Sequence, residues 1–208
     1  MQFLRHKVAK GETLKINDFD VALQEIDRTN EIINSLLILS KEPNQQKEVI
    51  CIDQLLDEVI QLFQHQLFIK GITLYREFQK KLYIAGVENH LKQIMINLLL
   101  NAIDAVAEKK ENPMITIHAY ERECKLFIEV EDNGTGIDEK DIVKLKMPFY
   151  TTKKNGSGLG LSVTYKLVEE HHGSIDIESE RGKGTVFRIA FPMDENICKQ
   201  DSRELVNC

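Results

Sequence analysis

The sequence predicts an α+β protein: a mixed sheet with helices gathered on one face, preceded by a separate helical segment. Three observations carry the prediction. Apolar residues between Asn17 and Lys41 recur in alternating steps of four and three. After Pro43 the pattern changes to short β-rich runs alternating with amphipathic helical ones. A glycine-rich stretch, Gly156 to Gly160, then introduces a last helix and a terminal hairpin. Strands and helices in that mixture pack as a sandwich around one core.

The first segment is read from its seam. Phe19, Leu23, Ile26, Asn30, Ile33 and Leu37 form a coiled-coil stripe, which Ile32, Leu36 and Leu39 widen toward a bundle. Asn17 or Asp18 caps its start. Met1 to Val8 reads as the tail of an earlier helix, ended by Gly11 in a polar turn. One and a half helices cannot bury such a seam, so a partner chain is expected along residues 17–41. Pro43 and the polar Asn44 to Lys47 mark a linker. The expected organisation is therefore a helical hairpin remnant over 1–43, a linker over 44–47, the sandwich over 48–193 and a disordered polar tail over 194–208.

Within the sandwich, Val49 to Ile52 reads as a strand and Asp53 to Lys70 as an amphipathic helix stopped by Gly71. Ile72 to Phe78 and Leu82 to Ala85 read as two strands, and Glu88 to Glu108 as a long helix. Ile115 to Glu121 and Leu126 to Glu131 read as paired strands. Leu159 to His171 follows as a helix, and Ser174 to Ser179 with Thr185 to Phe191 as a hairpin around Gly182 and Gly184.

Composition excludes several classes. The formal charge of −6 argues against a broad phosphate-binding surface for nucleic acid. No apolar run reaches the length of a membrane span, and the amino terminus has no secretory h-region, so a cytoplasmic location is expected, with any membrane anchor lying upstream. Cys51, Cys124, Cys198 and Cys208 show no CxxC spacing, so no zinc site is indicated and reduced thiols are expected.

Three elements carry chemistry. In QIMINLLLNAIDA, Asn97 and Asn101 are four residues apart on one helix face, with Asp104 one turn further and His90 two turns before. Amide oxygens there suit Mg²⁺ already held by nucleotide phosphates, although a solvated asparagine pair has the same spacing. In IEVEDNGTGI, Asp132 ends a strand ahead of Gly134 and Gly136. A carboxylate so fixed accepts from an exocyclic amine and the glycines let a planar ring approach, while an ordinary Asp-Asn-Gly turn is the alternative. In PFYTTKKNGSGLGLS, Gly156, Gly158 and Gly160 precede a helix whose amino end is a candidate anion site, with Lys153 or Lys154 adding charge; a flexible linker is the alternative.

The order and spacing of these elements, followed by RGKGT at Arg181 to Thr185, closely resemble the N, G1, F, G2 and G3 boxes of sensor histidine kinases. These belong to the wider GHKL ATPase group that includes gyrase, Hsp90 and MutL. The resemblance covers about Glu48 to Pro192 and implies a Bergerat-type sandwich that binds ATP with Mg²⁺. It implies that Asn97 and Asn101 meet the metal, that Asp132 selects adenine, and that Thr185 lies beside the base. Gly134 and Gly136 match the G1 glycines, Phe149 the lid aromatic, and Gly156, Gly158 and Gly160 the phosphate loop. Asp104, Ile137, Thr152, Lys153, Ser157, Leu159 and Leu161 fall in the same boxes and are expected to line the nucleotide. The Asn17 to Pro43 helix resembles the second helix of a dimerisation and phosphotransfer domain in the style of sporulation kinases.

The resemblance implies transfer of the γ-phosphoryl group to a histidine and then to a response-regulator aspartate. The phosphoacceptor box, H-E-x-x-N/T-P in type, does not occur in these 208 residues; His6 in LRHKVAK lacks the acid and proline. The chain alone is thus expected to bind ATP without labelling itself. An anti-sigma-type serine kinase and a non-catalytic interaction protein acting through the Phe19 to Leu37 seam are the competing classes. His171 and His172 are expected to cap a helix end beside its dipole. His65, His90 and His118 show no metal-ligand pattern.

Overall fold

A computed structural model describes residues 47–79, 81–107, 111–153 and 156–193, together with Lys10 and Phe19. The expected helix and dimer seam at 17–41, nearly all of the linker, Lys154 and the 194–208 tail lie outside these residues.

The chain order is β1 (Glu48–Cys51), α1 (Ile52–Ile69), β2 (Thr73–Phe78), β3 (Tyr83–Gly86), α2 (Glu88–Ala107), β4 (Met114–Arg122), β5 (Lys125–Asp132), α3 (Glu139–Ile142), α4 (Gly160–Glu170), β6 (Ser174–Glu180) and β7 (Gly184–Pro192). Five strands form a mixed sheet in the order β2-β4-β5-β7-β6, with β2 parallel to β4 and the other pairs antiparallel. β1 and β3 pair antiparallel in a separate two-stranded sheet. The α+β class is therefore observed. The single run of strands expected from the sequence is divided between two sheets.

Strict alternation builds the core. Ile115, Ile117 and Ala119 on β4 face the helices with Leu126, Ile128 and Val130 on β5 and Phe187, Ile189 and Phe191 on β7, all buried. Against them pack Leu91, Ile94, Met95, Leu98, Leu99, Ala102, Ile103 and Val106, the apolar side of α2. α1 adds Ile52, Leu55, Leu56, Val59, Ile60, Phe63 and Leu67 at helical spacing. It ends as the sequence predicts: Gly71 adopts φ +63 and the Ile72 N–H bonds back to the carbonyl of Leu67. Burial of α2 on one side leaves Asn97, Asn101 and Asp104 on the other, at the sheet end where β5 finishes.

The sequence reading contains no counterpart of α3, whose four residues are too short for a periodic signal. Cys51 is a free thiol, but Cys124 is disulfide-bonded, so the expectation of reduced thiols fails there. It occupies an exposed two-residue turn between β4 and β5.

Candidate functional site

The asparagine face of α2 is engaged unequally. Gln93 donates to Asn97 Oδ1 (2.9 Å), while Asn97 Nδ2 donates to the carbonyl of Gly160 (2.9 Å) and reaches Thr164 Oγ1 (3.2 Å). Asn97 thus ties α2 to the first turn of α4. One turn later, Asn101 Oδ1 and Asp104 Oδ2 each accept from the ammonium of Lys153 at 2.8 Å. Their oxygens face the segment that runs from Met147 toward α4.

Asp132 closes β5 and is only 5% exposed. Burial raises its pKa to about 6, against backbone N–H donation from Gly134 (2.8 Å) and Thr185, which favours the charged form. Thr185 lies directly across the β5–β7 ladder and is buried. Ser179 joins this corner: its hydroxyl accepts the Ile137 N–H (2.8 Å), contacts the Gly184 carbonyl (2.9 Å) and lies 2.9 Å from Thr185 Oγ1. A fixed acceptor beside a hydroxyl can read an amine edge. Next to it, Thr135, Gly136, Ile137, Asp138, Thr152 and Arg181 line a cleft of about 420 Å³.

The segment over the cleft is anchored at its base. Tyr150 donates its hydroxyl to Asp141 (2.6 Å), which also pairs with Lys144 (2.9 Å). Phe149 sits at φ 66, 65% exposed, with its N–H bonded to the carbonyl of Gly158 (2.9 Å). At the amino end of α4 no side chain makes a cap hydrogen bond, so first-turn N–H groups remain available to an anion. A Cβ on Gly160 would be 3.7 Å from the Asn97 amide, which leaves room beside that helix end.

These residues fit a magnesium nucleotide. Asn101 and Asp104 already gather a cation, the ammonium of Lys153. The helix end offers N–H groups to phosphate, and Asp132 offers a buried acceptor to a base. The profile of the histidine kinase-, DNA gyrase B- and HSP90-like ATPases matches residues 86–195, more than half of the chain. The chain belongs to this ATPase family. Sporulation kinase A of Bacillus subtilis (strain 168) is 38% identical over 176 residues, covering 84% of this chain and 28% of that protein. The catalytic domain of histidine kinase ThkA, in a nucleotide-free form, superposes with a TM-score of 0.66 at 31% identity, over 74% of this chain and 99% of that one. Histidine kinase ThkA in complex with response regulator protein TrrA gives a TM-score of 0.77 at 27% identity, over 93% of this chain and 56% of that one. The chain spans between about a quarter and two fifths of the length of the sporulation kinases it matches.

The ATPase fold gives some expected residues a different job. Leu159 is fully buried and Leu161 packs on the core, so each can offer only backbone to a ligand. A Cβ on Gly134 would meet the Ala105 backbone at 2.5 Å, and one on Gly136 the Glu180 carbonyl at 2.1 Å. Both glycines therefore admit neighbouring backbone, where the sequence reading had them admit a ring. Gly156 and Gly158 likewise lie against Thr151 and Phe149.

His171 is more than a charged cap. It is buried, its Nδ1 donates to the Leu167 carbonyl (2.7 Å), and its Nε2 accepts the Val87 N–H (3.0 Å). Holding both bonds requires the neutral ring, and burial lowers its pKa accordingly. It thereby fastens the far end of α4 to the start of α2. His90, two turns before Asn97, packs against the other end of α4, edge-on to His171 and with Nδ1 3.6 Å from Glu170. His118 lies between Glu77 and Glu131 on the open face of the sheet. Among the described residues no cluster of His, Cys, Asp or Glu could hold a metal by itself, and no helix is long and apolar enough to cross a membrane.

Ser179, Thr164 and Gln93 were not singled out from the sequence. Ser179 was recoverable, because pairing the two terminal strands sets it opposite Thr185.

Proposed function

We propose that this chain is the ATP-binding catalytic region of a sensor histidine kinase of the sporulation-kinase type. It binds Mg-ATP, delivers the γ-phosphoryl group to a histidine, and so supplies a response regulator or phosphorelay protein. The observation that carries the reading is the joining of the asparagine face of α2 to the uncapped amino end of α4, with Lys153 on that same face acting on the buried carboxylate of Asp132. Similarity to sporulation kinase A and to the ThkA catalytic domain supports it.

Each residue has a task in that reading. Asp132 accepts from the exocyclic amine of adenine, with Thr185 beside it. The first-turn N–H groups of α4, from Gly160 on, receive phosphate oxygens. Asn101 and Asp104 present oxygens to the divalent cation, and Asn97 holds α2 at the distance from α4 that the phosphates need. Phe149, Thr152 and the neighbouring glycines cover the cleft and exclude water. Mg²⁺ and ATP, when bound, supply charge neutralisation and the γ-phosphoryl group. Positioning of that group is the main contribution of the protein.

Homodimerisation through residues 17–41 would bring the partner helices together, and the ThkA–TrrA complex supports a response regulator as the downstream partner. No histidine box occurs within these 208 residues, and the test therefore supplies one on a second polypeptide. The test incubates the chain with γ-labelled Mg-ATP, alone and with a helical hairpin bearing an H-E-x-x-N/T-P box. Acid-labile, base-stable phosphate on the hairpin only is the expected result. Phosphoserine on a partner would replace this reading with a serine kinase, and acid-labile label on the chain alone would contradict the missing acceptor.

A further inference from the structure

Lys153 makes two contacts that the proposed chemistry does not need. Its ammonium is 2.8 Å from Asn101 Oδ1 and 2.8 Å from Asp104 Oδ2, bridging from the covering segment to α2 across 52 and 49 positions of sequence. Its charge also acts on Asp132 and favours the ionised carboxylate. Lys144 and Arg181, at the rim, are paired with Asp141 and Asp138. Lys153 instead takes the oxygens that a metal ion would need.

We propose that Lys153 is an internal stand-in for the cation of the nucleotide. In the nucleotide-free protein it holds Asn101 and Asp104 and pins the covering segment to α2, and it must release them before a magnesium nucleotide can engage the same oxygens. The inference rests on the nucleotide-site reading above. The ammonium and a metal ion compete for this pair of oxygens, since like charges held against the same acceptors repel each other. Arrival of the metal ion is therefore coupled to release of the segment. Because Asp104 is 48% and Lys153 37% exposed, the contact is a weak one that metal ion can displace.

The test titrates Mg²⁺ against a fluorescent N-methylanthraniloyl-ADP probe on the full chain. Lys153→Met should lower the half-saturating Mg²⁺ concentration about threefold, and Lys153→Arg, which keeps the cation, should stay near wild type. A half-saturating concentration that is unchanged or raised in Lys153→Met overturns the stand-in. In nucleotide-free protein, Asp104→Asn and Lys153→Met should each speed hydrogen exchange at the amides of Tyr150 to Lys153 about threefold. Unchanged exchange in both variants also overturns it. No probe binding by the wild-type chain at any Mg²⁺ concentration overturns the nucleotide-site reading and the stand-in with it. Binding with an unaltered Mg²⁺ dependence overturns the stand-in alone.

Discussion

Asn97 donates its side-chain amide to the carbonyl of Gly160, 63 positions away in sequence, and thereby ties α2 to the first turn of α4. Asn97→Asp separates this structural role from metal ligation. The carboxylate keeps oxygen ligands but loses the donor and faces a carbonyl. We expect a loss of about 1–3 kcal/mol in chemical denaturation without nucleotide. Wild-type stability in that variant would show that Asn97 serves only a ligand.

Gly160 and Gly136 should behave oppositely. An added methyl at Gly160 finds only the Asn97 side chain, at 3.7 Å, and sits in the first turn of a helix. Gly160→Ala should keep or gain up to about 1 kcal/mol of stability while weakening nucleotide binding, because the methyl takes phosphate space. Gly136 adopts φ +65, and a methyl there would lie 2.1 Å from the Glu180 carbonyl. Gly136→Ala should cost about 3 kcal/mol or more. Thermal melts of the two variants, with and without Mg-ATP, check both expectations.

Asp132 carries a stability cost when it is ionised. Its folded pKa, about 6, lies above the ordinary 3.8 because the carboxyl is buried. Protonation thus favours the fold: its contribution is fully present below pH 3.8 and is lost as pH rises through about 6. The ionised group at pH 7 carries a cost of roughly 3 kcal/mol. Asp132→Asn, which still accepts from Gly134 N–H, should therefore raise stability at pH 7 and leave it little changed at pH 4. An equal effect at both pH values would contradict the buried charge.

His171 has the opposite sign. Burial lowers its pKa, so its contribution is present above the unfolded value of 6.5 and is lost as pH falls through the lower folded value. His171→Ala should cost about 2–4 kcal/mol at pH 7.5, because the Val87 N–H and the Leu167 carbonyl lose their partner and a cavity opens. Denaturation at pH 7.5 and at pH 5 reads this, and the difference between variant and wild type should shrink at pH 5.

Most of the sandwich was legible because its strands alternate and its helices keep one apolar face. Ile115, Ile117 and Ala119, or Leu91, Ile94 and Leu98, announce their side of the chain without help from distant residues. The site residues were legible as motifs, whereas their individual work was not. Spacing puts Asn97 and Asn101 on one face but cannot tell that Asn97 is turned toward Gly160 and Asn101 toward Lys153. The role of His171 depends on Val87, 84 positions away. Likewise Glu123 and Cys124 both take positive φ in the β4–β5 turn, a conformation that neither residue type advertises.

The most direct measurement is calorimetric titration of the chain with ATP in excess Mg²⁺, for wild type and for Asp132→Ala confirmed as folded by circular dichroism. The account predicts saturable one-site binding by wild type, a clear preference for ATP over GTP, and at least a tenfold loss in Asp132→Ala. Binding of ATP by folded Asp132→Ala with wild-type affinity would contradict it.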